Sequence, residues 1–366
     1  MNMKKKLKVV RITDEIRKLI DSKCFDDNAK LPSERRLAKL LGTTQVTINK
    51  ALTLLQNEGT IVKKHGSGNY VLRRSKYVTI NFLIEEIGQR LNPIWYSIYE
   101  AFYFAASLNK GVKVKLDIIP KDCHYITREH FENADILISG IHLYPERVES
   151  ILSHNIPVIW LQEYPEPLDG AFVCFDNFTA GKMAAEHLIS TGCKKLLYVT
   201  FSMSYGMSSY GDYTSDLRFD GFRRGVVDFG MNECSLQFYS CFGDFSKFIP
   251  ELYPFFTREN MVDGILTFAD HIALYPIRAA KKAGRRIPED LRIVGIDGQQ
   301  LSEIHTPSLT TLRQPTEEIG KRALETAISI LNNKPYEKIQ KFKPELIIRE
   351  STSLNANLKG AENLAS

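Results

Sequence analysis

The chain has 366 residues, 43% of them hydrophobic and 25% charged, which excludes a disordered polymer and a small stapled scaffold and predicts a globular protein of more than one domain. No apolar run approaches the roughly 20 residues of a membrane-spanning helix, and the basic segment Met1 to Lys8 has no apolar stretch behind it, so neither a membrane partner nor a secretory signal is expected and the cytoplasm is the default location. The net charge of +5 is unevenly held: residues 1–76 carry 18 Lys and Arg against 7 Asp and Glu, and the remainder carries 30 against 36.

An electropositive first fifth suits a module that meets a polyanion, because each neutralised phosphate releases counterions. A lysine-rich head serving only solubility would give the same arithmetic. The six cysteines (Cys24, Cys123, Cys174, Cys193, Cys234, Cys241) are scattered, with no Cys-x-x-Cys, and are read as buried thiols rather than a disulfide framework or a zinc site.

Val9, Ile12, Ile16, Leu19 and Ile20 fall at helical spacing and predict a first helix ending at the polar break Asp26-Asp27-Asn28. After Leu31-Pro32, Ser33 can cap a second helix carrying Leu37, Ala38, Leu40 and Leu41, which Gly42 stops. Thr43-Thr44 then offer a cap for a third helix with Ile48, Ala51, Leu52 and Leu55 on one stripe, ended by Gly59. Thr60 to Lys64 and Asn69 to Leu72 read as a hairpin around His65-Gly66-Ser67-Gly68. Together these predict a winged helix-turn-helix over residues 1–74, with Arg73 to Lys76 as a hinge.

From Val78 onward, β-rich runs alternate with helical segments: Val78 to Ile84, Val112 to Ile118, Ala134 to Ser139, Pro157 to Leu161, Ala171 to Phe175, Lys195 to Thr200, Leu236 to Cys241, Gly264 to Phe268 and Leu291 to Ile296. Continuous apolar strands between helices imply parallel sheets covered on both faces, and nine or more strands exceed one comfortable core, so an α/β fold of two lobes is expected.

The second helix of a helix-turn-helix enters the major groove, where base edges differ in donors, acceptors and methyls. Thr44, Gln45, Thr47, Asn49 and Lys50 cluster at the start of that helix, while Arg35, Arg36, Lys63, Lys64 and His65 can grip phosphates, and Gly66 lets the wing approach the minor groove. Leu31-Pro32-Ser33-Glu34-Arg35-Arg36-Leu37-Ala38, Leu41 to Leu52, Glu58-Gly59 and Gly66-Ser67-Gly68-Asn69-Tyr70-Val71 resemble the GntR-type winged-helix regulators in order and spacing. That family usually has Arg at the positions of Gln45 and Asn49, which implies a different half-site here. A winged helix serving only protein contacts is the alternative.

Val173 to Gly181, Ala184 to Leu188, Thr191 to Leu196, Arg218-Phe219-Asp220-Gly221-Phe222, Asp263-Gly264-Ile265, Ile293 to Asp297 and Pro307 to Leu312 resemble the LacI-type sensor domain over most of residues 78–350. The resemblance, which includes a similarity to arabinose-repressor-type regulators, implies a type I periplasmic-binding-protein fold with chain crossings near Asp176, Thr310 and Lys341, followed by a tail over residues 351–366. Asp176, Asp270 and Asp297 each follow an apolar strand, where ligands of open α/β sheets sit. A sugar needs paired hydrogen-bonding groups and an aromatic face, so Asp297 and Arg218 are expected to bind hydroxyls, and Trp95 or Tyr96 to stack. Each has a structural alternative: a helix cap for Asp176 and Asp270, the core for Trp95, an interlobe ion pair for Arg218. Related sensors often carry Asn where Ala269 stands, implying one altered ligand contact. The polar, aromatic loop Ser202 to Asp216 is expected where it could cover the crevice.

No Gly-x-Ser-x-Gly, phosphate loop or His-Glu-x-x-His occurs, and His124, His130, His142 and His154 have no metal-ligand spacing. Aminotransferase domains follow some GntR heads, but the LacI-like motifs leave little room for one, so neither catalysis, a cofactor nor a metal is expected. The reading is a homodimeric, sugar-responsive repressor of a carbohydrate-utilisation operon on double-stranded operator DNA. The alternatives are an activator, or a sensor that acts through protein partners with a non-sugar effector.

Overall fold

The computed structural model describes residues 3–20, 29–64, 66–71, 77–87, 90–109, 111–120, 123, 125–165, 167–202, 213–242, 244–257 and 261–353. The chain divides into two compact units, Met1–Val78 and Thr79–Ser366.

The first unit is a winged helix built from α1 (Met3–Leu19), α2 (Glu34–Leu40), α3 (Gln45–Asn57), β1 (Ile61–Lys64) and β2 (Gly68–Val71). Ser33 caps α2 by accepting from the Arg36 amide, and Thr44 caps α3 by accepting from the Thr47 amide, each satisfying a backbone donor that the first helical turn leaves unpaired. Between the two helices Gly42 takes a positive φ of 56°, a conformation open to glycine at little cost. Ile12, Ile16, Leu37, Ile48, Ala51, Leu52, Leu55, Ile61 and Val71 form one buried cluster. The β1–β2 hairpin is antiparallel, and residues 29–31 add a third extended piece, with Leu31 N–H donating to Asn69 and Val71 N–H to Ala29. That third piece is not marked in the sequence by any alternation.

The second unit begins with β3 (Val78–Ile87), β4 (Arg90–Leu91), α4 (Pro93–Ser107), β5 (Val112–Pro120), β6 (Ile136–Gly140), α5 (Pro145–Ser153), β7 (Val158–Trp160) and β8 (Ala171–Phe175). It continues through α6 (Asn177–Ser190), β9 (Leu196–Ser202), α7 (Tyr213–Asp228), β10 (Leu236–Phe242), α8 (Phe248–Leu252), α9 (Pro254–Thr257), β11 (Gly264–Thr267), α10 (Leu274–Lys282), β12 (Arg292–Asp297), α11 (Leu301–Ile304) and β13 (Thr310–Arg313). It ends with α12 (Thr316–Leu331), β14 (Ile339–Phe342) and β15 (Glu345–Ile347).

These strands form two sheets. The first runs β14-β8-β7-β6-β3-β4 with β5 also on β3, and the second β10-β9-β11-β12-β13-β15. The pairings between β14, β8, β7, β6 and β3 are parallel, as are those from β10 to β13, while β4 and β15 pair antiparallel. The chain therefore leaves the first sheet after β8, returns after β13 for β14, and leaves again for β15. Helices cover both sheets, giving separate cores around Leu83, Leu137, Trp160 and Cys174 and around Leu197, Phe248, Ile265 and Ile293.

Two expectations need revision. The tail starts later than residue 351, because Ser351 and Thr352 are buried against the second sheet, Ser351 Oγ donating to Ile293 and accepting from Thr310 N–H. Of the cysteines, Cys174, Cys193 and Cys241 are buried, but Cys123 is half-buried and Cys234 exposed; Cys24 lies outside the described residues.

Candidate DNA interface and effector crevice

In the winged helix, Arg35, Arg36, Thr44, Gln45, Asn49, Lys50, Lys63, Lys64 and Gly66 are exposed and Thr47 is half-buried. Thr44 Oγ1 and Thr47 Oγ1 lie 2.9 Å apart, and Asn49 Nδ2 donates to Glu34 Oε1 at 3.1 Å. Asn49 is thus held with its amide nitrogen occupied. Lys64 Nζ sits 4.6 Å from the Tyr70 ring centroid, which fixes the lysine stem along the wing. Gly66 has φ +72° and open space around it, so the wing tip presents bare backbone. His65 and the hinge Arg73 to Lys76 lie outside the described residues.

In the second unit the carboxyl ends of the parallel strands gather the polar residues. Asp297 ends β12 with a positive φ of 121°, a backbone strain that a non-glycine residue sustains only where its surroundings fix it. Its carboxylate is buried: Oδ1 accepts from Gln314 Nε2 at 2.8 Å and Arg218 Nη2 at 3.4 Å, and Oδ2 from Gln299 Nε2 at 3.3 Å. Burial pushes its pKa up and the Arg218 charge pulls it back.

Arg218 on α7 is 4% exposed. Its Nε donates to Asn177 Oδ1 at 2.9 Å, Nη1 to the Phe268 carbonyl, and the guanidinium lies 4.7 Å from the Phe268 ring centroid. One cation therefore ties the start of α6, the end of β11 and the end of β12 together. The placement depends on a close crossing of α6 and α7, where a Cβ on Gly181 would fall 1.9 Å from the Arg218 carbonyl oxygen and one on Gly221 1.9 Å from that of Phe178.

The three strand-end aspartates have three different fates. Asp270 is wholly buried; Thr311 Oγ1 donates to its Oδ1 at 2.6 Å and Gln299 N–H to its Oδ2 at 2.8 Å. Burial and the nearby Asp297 charge push its pKa up to about 8. Asp270 is absent from the lining of the cavity that Asp297 borders, and its carboxylate holds the turn after Asp297 through the Gln299 amide. Asp176 is half-buried and caps α6, accepting from Thr179 N–H at 3.0 Å and Thr179 Oγ1 at 2.7 Å. Asp297 borders a cavity.

That cavity, of about 350 Å³, is lined by Pro93, Ile94 and Ser97 of α4 together with Asp297, Gly298, Gln299, Gln300, Leu301, Arg313, Gln314 and Thr316. It lies between elements of the two sheets, and its size falls at the lower end for small-molecule sites. Trp95 and Tyr96 stand on the same first turn of α4 but do not line it; Tyr96 is 38% exposed, and the buried Trp95 Nε1 has no hydrogen-bond partner. The loop expected to cover the crevice falls largely in residues 203–212, outside the described residues.

Sequence reasoning missed Gln314, Gln299, Asn177 and His271. The first three are amides that no motif distinguishes from surface residues. His271 is exposed next to Asp270, and burial of its surroundings together with the Arg218 charge holds its pKa down against the opposite pull of Asp297. A second, larger groove of about 1370 Å³ lies along β10 between Lys194, Gln237, Tyr239, Glu251 and Phe255, remote from the strand ends that carry Asp297. Among the described residues, no His, Cys, Asp and Glu cluster suits a metal ion, and no helix is long and apolar enough to cross a membrane.

A winged helix followed by a two-sheet α/β domain is the domain order of a transcription regulator. Residues 8–71 match the bacterial regulatory proteins of the gntR family, and residues 185–352 match the periplasmic binding protein-like domain; the chain carries a gntR-family head on a periplasmic-binding-protein-like sensor. It is 24% identical over 348 residues to the NTD biosynthesis operon regulator NtdR of Bacillus subtilis, covering 88% of this chain and all of that one. It is also 24% identical to the arabinose metabolism transcriptional repressor of Halalkalibacterium halodurans, covering 91% and 93%. A solved LacI family transcriptional regulator from Enterococcus faecium with bound ribose shares the fold at a TM-score of 0.61 and 20% identity, covering 75% of this chain and 98% of that one.

Proposed function

We propose that the protein is a cytoplasmic repressor of a carbohydrate-utilisation operon, that it binds a palindromic operator as a homodimer, and that a small sugar or sugar derivative modulates its grip on DNA. The observation that carries the effector half is the strained, buried Asp297, held by Arg218, Gln314 and Gln299 at the wall of the 350 Å³ cavity. A carboxylate and amides in one wall supply the mixed acceptors and donors that adjacent hydroxyls require. A relative that is named an arabinose metabolism repressor and a neighbour solved with bound ribose support the sugar class.

The DNA half is supported by the exposed cluster Arg35, Arg36, Thr44, Gln45, Asn49, Lys50, Lys63 and Lys64. A single head would contact one half-site, so linking two heads by dimerisation raises affinity without new contacts. A ligand alters operator affinity only through its differential binding to two states.

Two experiments test the reading. In a gel shift with the gene's own upstream DNA, the wild type forms a specific band that Gln45→Ala with Lys64→Ala abolishes; a band untouched by the double substitution speaks against the head's assigned surface. In a thermal-shift screen of pentoses, hexoses, deoxysugars and their phosphates, one compound stabilises strongly and Asp297→Ala removes that response. A purine or peptide as the sole stabiliser would overturn the sugar class.

A further inference from the structure

Of the exposed side chains of the recognition helix α3, Val46 and Leu54 cannot hydrogen-bond, and Val46 is the one in the first turn. Val46 is 67% exposed in the first turn of α3, one residue from Gln45 and from Thr47. At about 100° per residue, the buried side chains Ile48, Ala51, Leu52 and Leu55 centre on the direction opposite Val46. Val46 is therefore the middle of the outward face, flanked by Lys50 and Asn49, with Thr53 two turns further along. Its neighbours are polar: Asn49 is held by Glu34, and the Thr53 hydroxyl is turned back onto the Asn49 carbonyl. Leu54, the other exposed apolar side chain of α3, lies two turns further along and about 80° around the helix, so Val46 with its polar neighbours offers a protein partner little apolar surface to cover.

We propose that Val46 reads the 5-methyl group of a thymine in the operator's major groove. This deepens the reading of the protein as an operator-binding regulator and rests on it. Thymine alone among the four bases presents a methyl there, and the other pairs meet a desolvated valine with a donor or acceptor left unpaired. Gln45 and Asn49 then read hydrogen-bonding edges on either side of a base that is recognised by apolar contact.

The test uses the full chain and removes the methyl from either partner. An operator is first selected from random duplexes, and each thymine is then replaced singly by deoxyuridine, which changes nothing but the methyl. Against wild type, one thymine position per half-site costs roughly 3- to 10-fold in affinity. Val46→Ala loses a similar factor on the unmodified operator and is indifferent to deoxyuridine at that position, so the two losses do not add. Because Val46 is 67% exposed and stands outside the head's core cluster, the variant unfolds at the wild-type temperature, which separates a lost contact from a damaged head. If wild type and Val46→Ala respond equally to deoxyuridine at every position, the thymine assignment falls while operator binding stands. If no sequence is enriched over random DNA, both fall.

Discussion

Replacing Gly221 by Ala probes the joint that presents Arg218 to the crevice. The added Cβ would lie 1.9 Å from the Phe178 carbonyl oxygen and 3.1 Å from the Lys182 nitrogen, whereas side-chain carbons tolerate no approach below 3.0 Å. The obstacle is backbone, which no rotamer change can clear, so α6 and α7 must part by about 1 Å. Overpacking of this kind costs about 3 kcal/mol or more, and the better helix propensity of Ala returns about 1 kcal/mol, leaving a net loss of about 2 kcal/mol. For a unit of this size that lowers the unfolding midpoint by roughly 3 °C. Arg218 lies one turn before Gly221, so parting the helices also draws the guanidinium from Asn177 and Asp297, and the variant binds effector more weakly while its winged helix keeps operator affinity. Differential scanning calorimetry with and without effector measures both. A midpoint within 1 °C of wild type would refute the close-crossing argument.

Asp270→Asn mimics the protonated carboxyl. Because the folded-state pKa is raised to about 8 from an unfolded value of about 4, the native state holds a proton that the unfolded state releases between those limits; the associated stability is present at low pH and lost as pH rises. The wild-type melting temperature therefore declines more steeply than the variant's from pH 5 to pH 8.5, and parallel slopes would count against the buried acid. Arg218→Ala strips the cation from buried Asp297 and costs about 3–5 kcal/mol; since Asp297 then takes up a proton more readily, urea denaturation shows a smaller deficit at pH 5 than at pH 8. Thr44→Ala removes the α3 cap and lowers the stability of the winged helix by about 1 kcal/mol, seen as faster amide exchange in the first turn of α3 and no change in the sensor.

The winged helix was legible because each of its boundaries has a local chemical cause. Ser33 and Thr44 cap, Gly42 and Gly59 stop, and the apolar stripe of α3 repeats at helical spacing. Strands such as β6 and β8 were equally plain, since strands buried on both faces carry few polar residues. β13, β14 and β15 escaped notice as strands. β14 is an edge strand with one buried residue in four, and β13 buries two threonines whose hydroxyls are satisfied by Asp270 and by the Arg349 carbonyl, so neither shows an apolar run.

The buried pairing of Asp297 with Arg218 joins two residues that the sequence singles out, while their other partners were opaque for a related reason. An aspartate after an apolar strand looks the same whether it caps a helix as Asp176 does, supports a turn as Asp270 does, or lines a cavity as Asp297 does; what separates them is the partner that the fold brings from more than a dozen residues away. Thr311 and Gln314 are such partners, contributed by and just after β13, a strand with no sequence signature.

The order in which the two sheets acquire their strands has a consequence for synthesis. The winged helix is a compact unit made before the sensor, but the first sheet waits for β14 and the second for β15, both of which fall within Ile339–Ile347, after all the other strands of their sheets. A nascent chain halted after α12 would carry a finished head and two sheets each lacking a border strand, with the edges of β8 and β13 open to foreign pairing. Until both border strands are made, a whole winged helix therefore stands beside a sensor unit whose two sheets are unfinished.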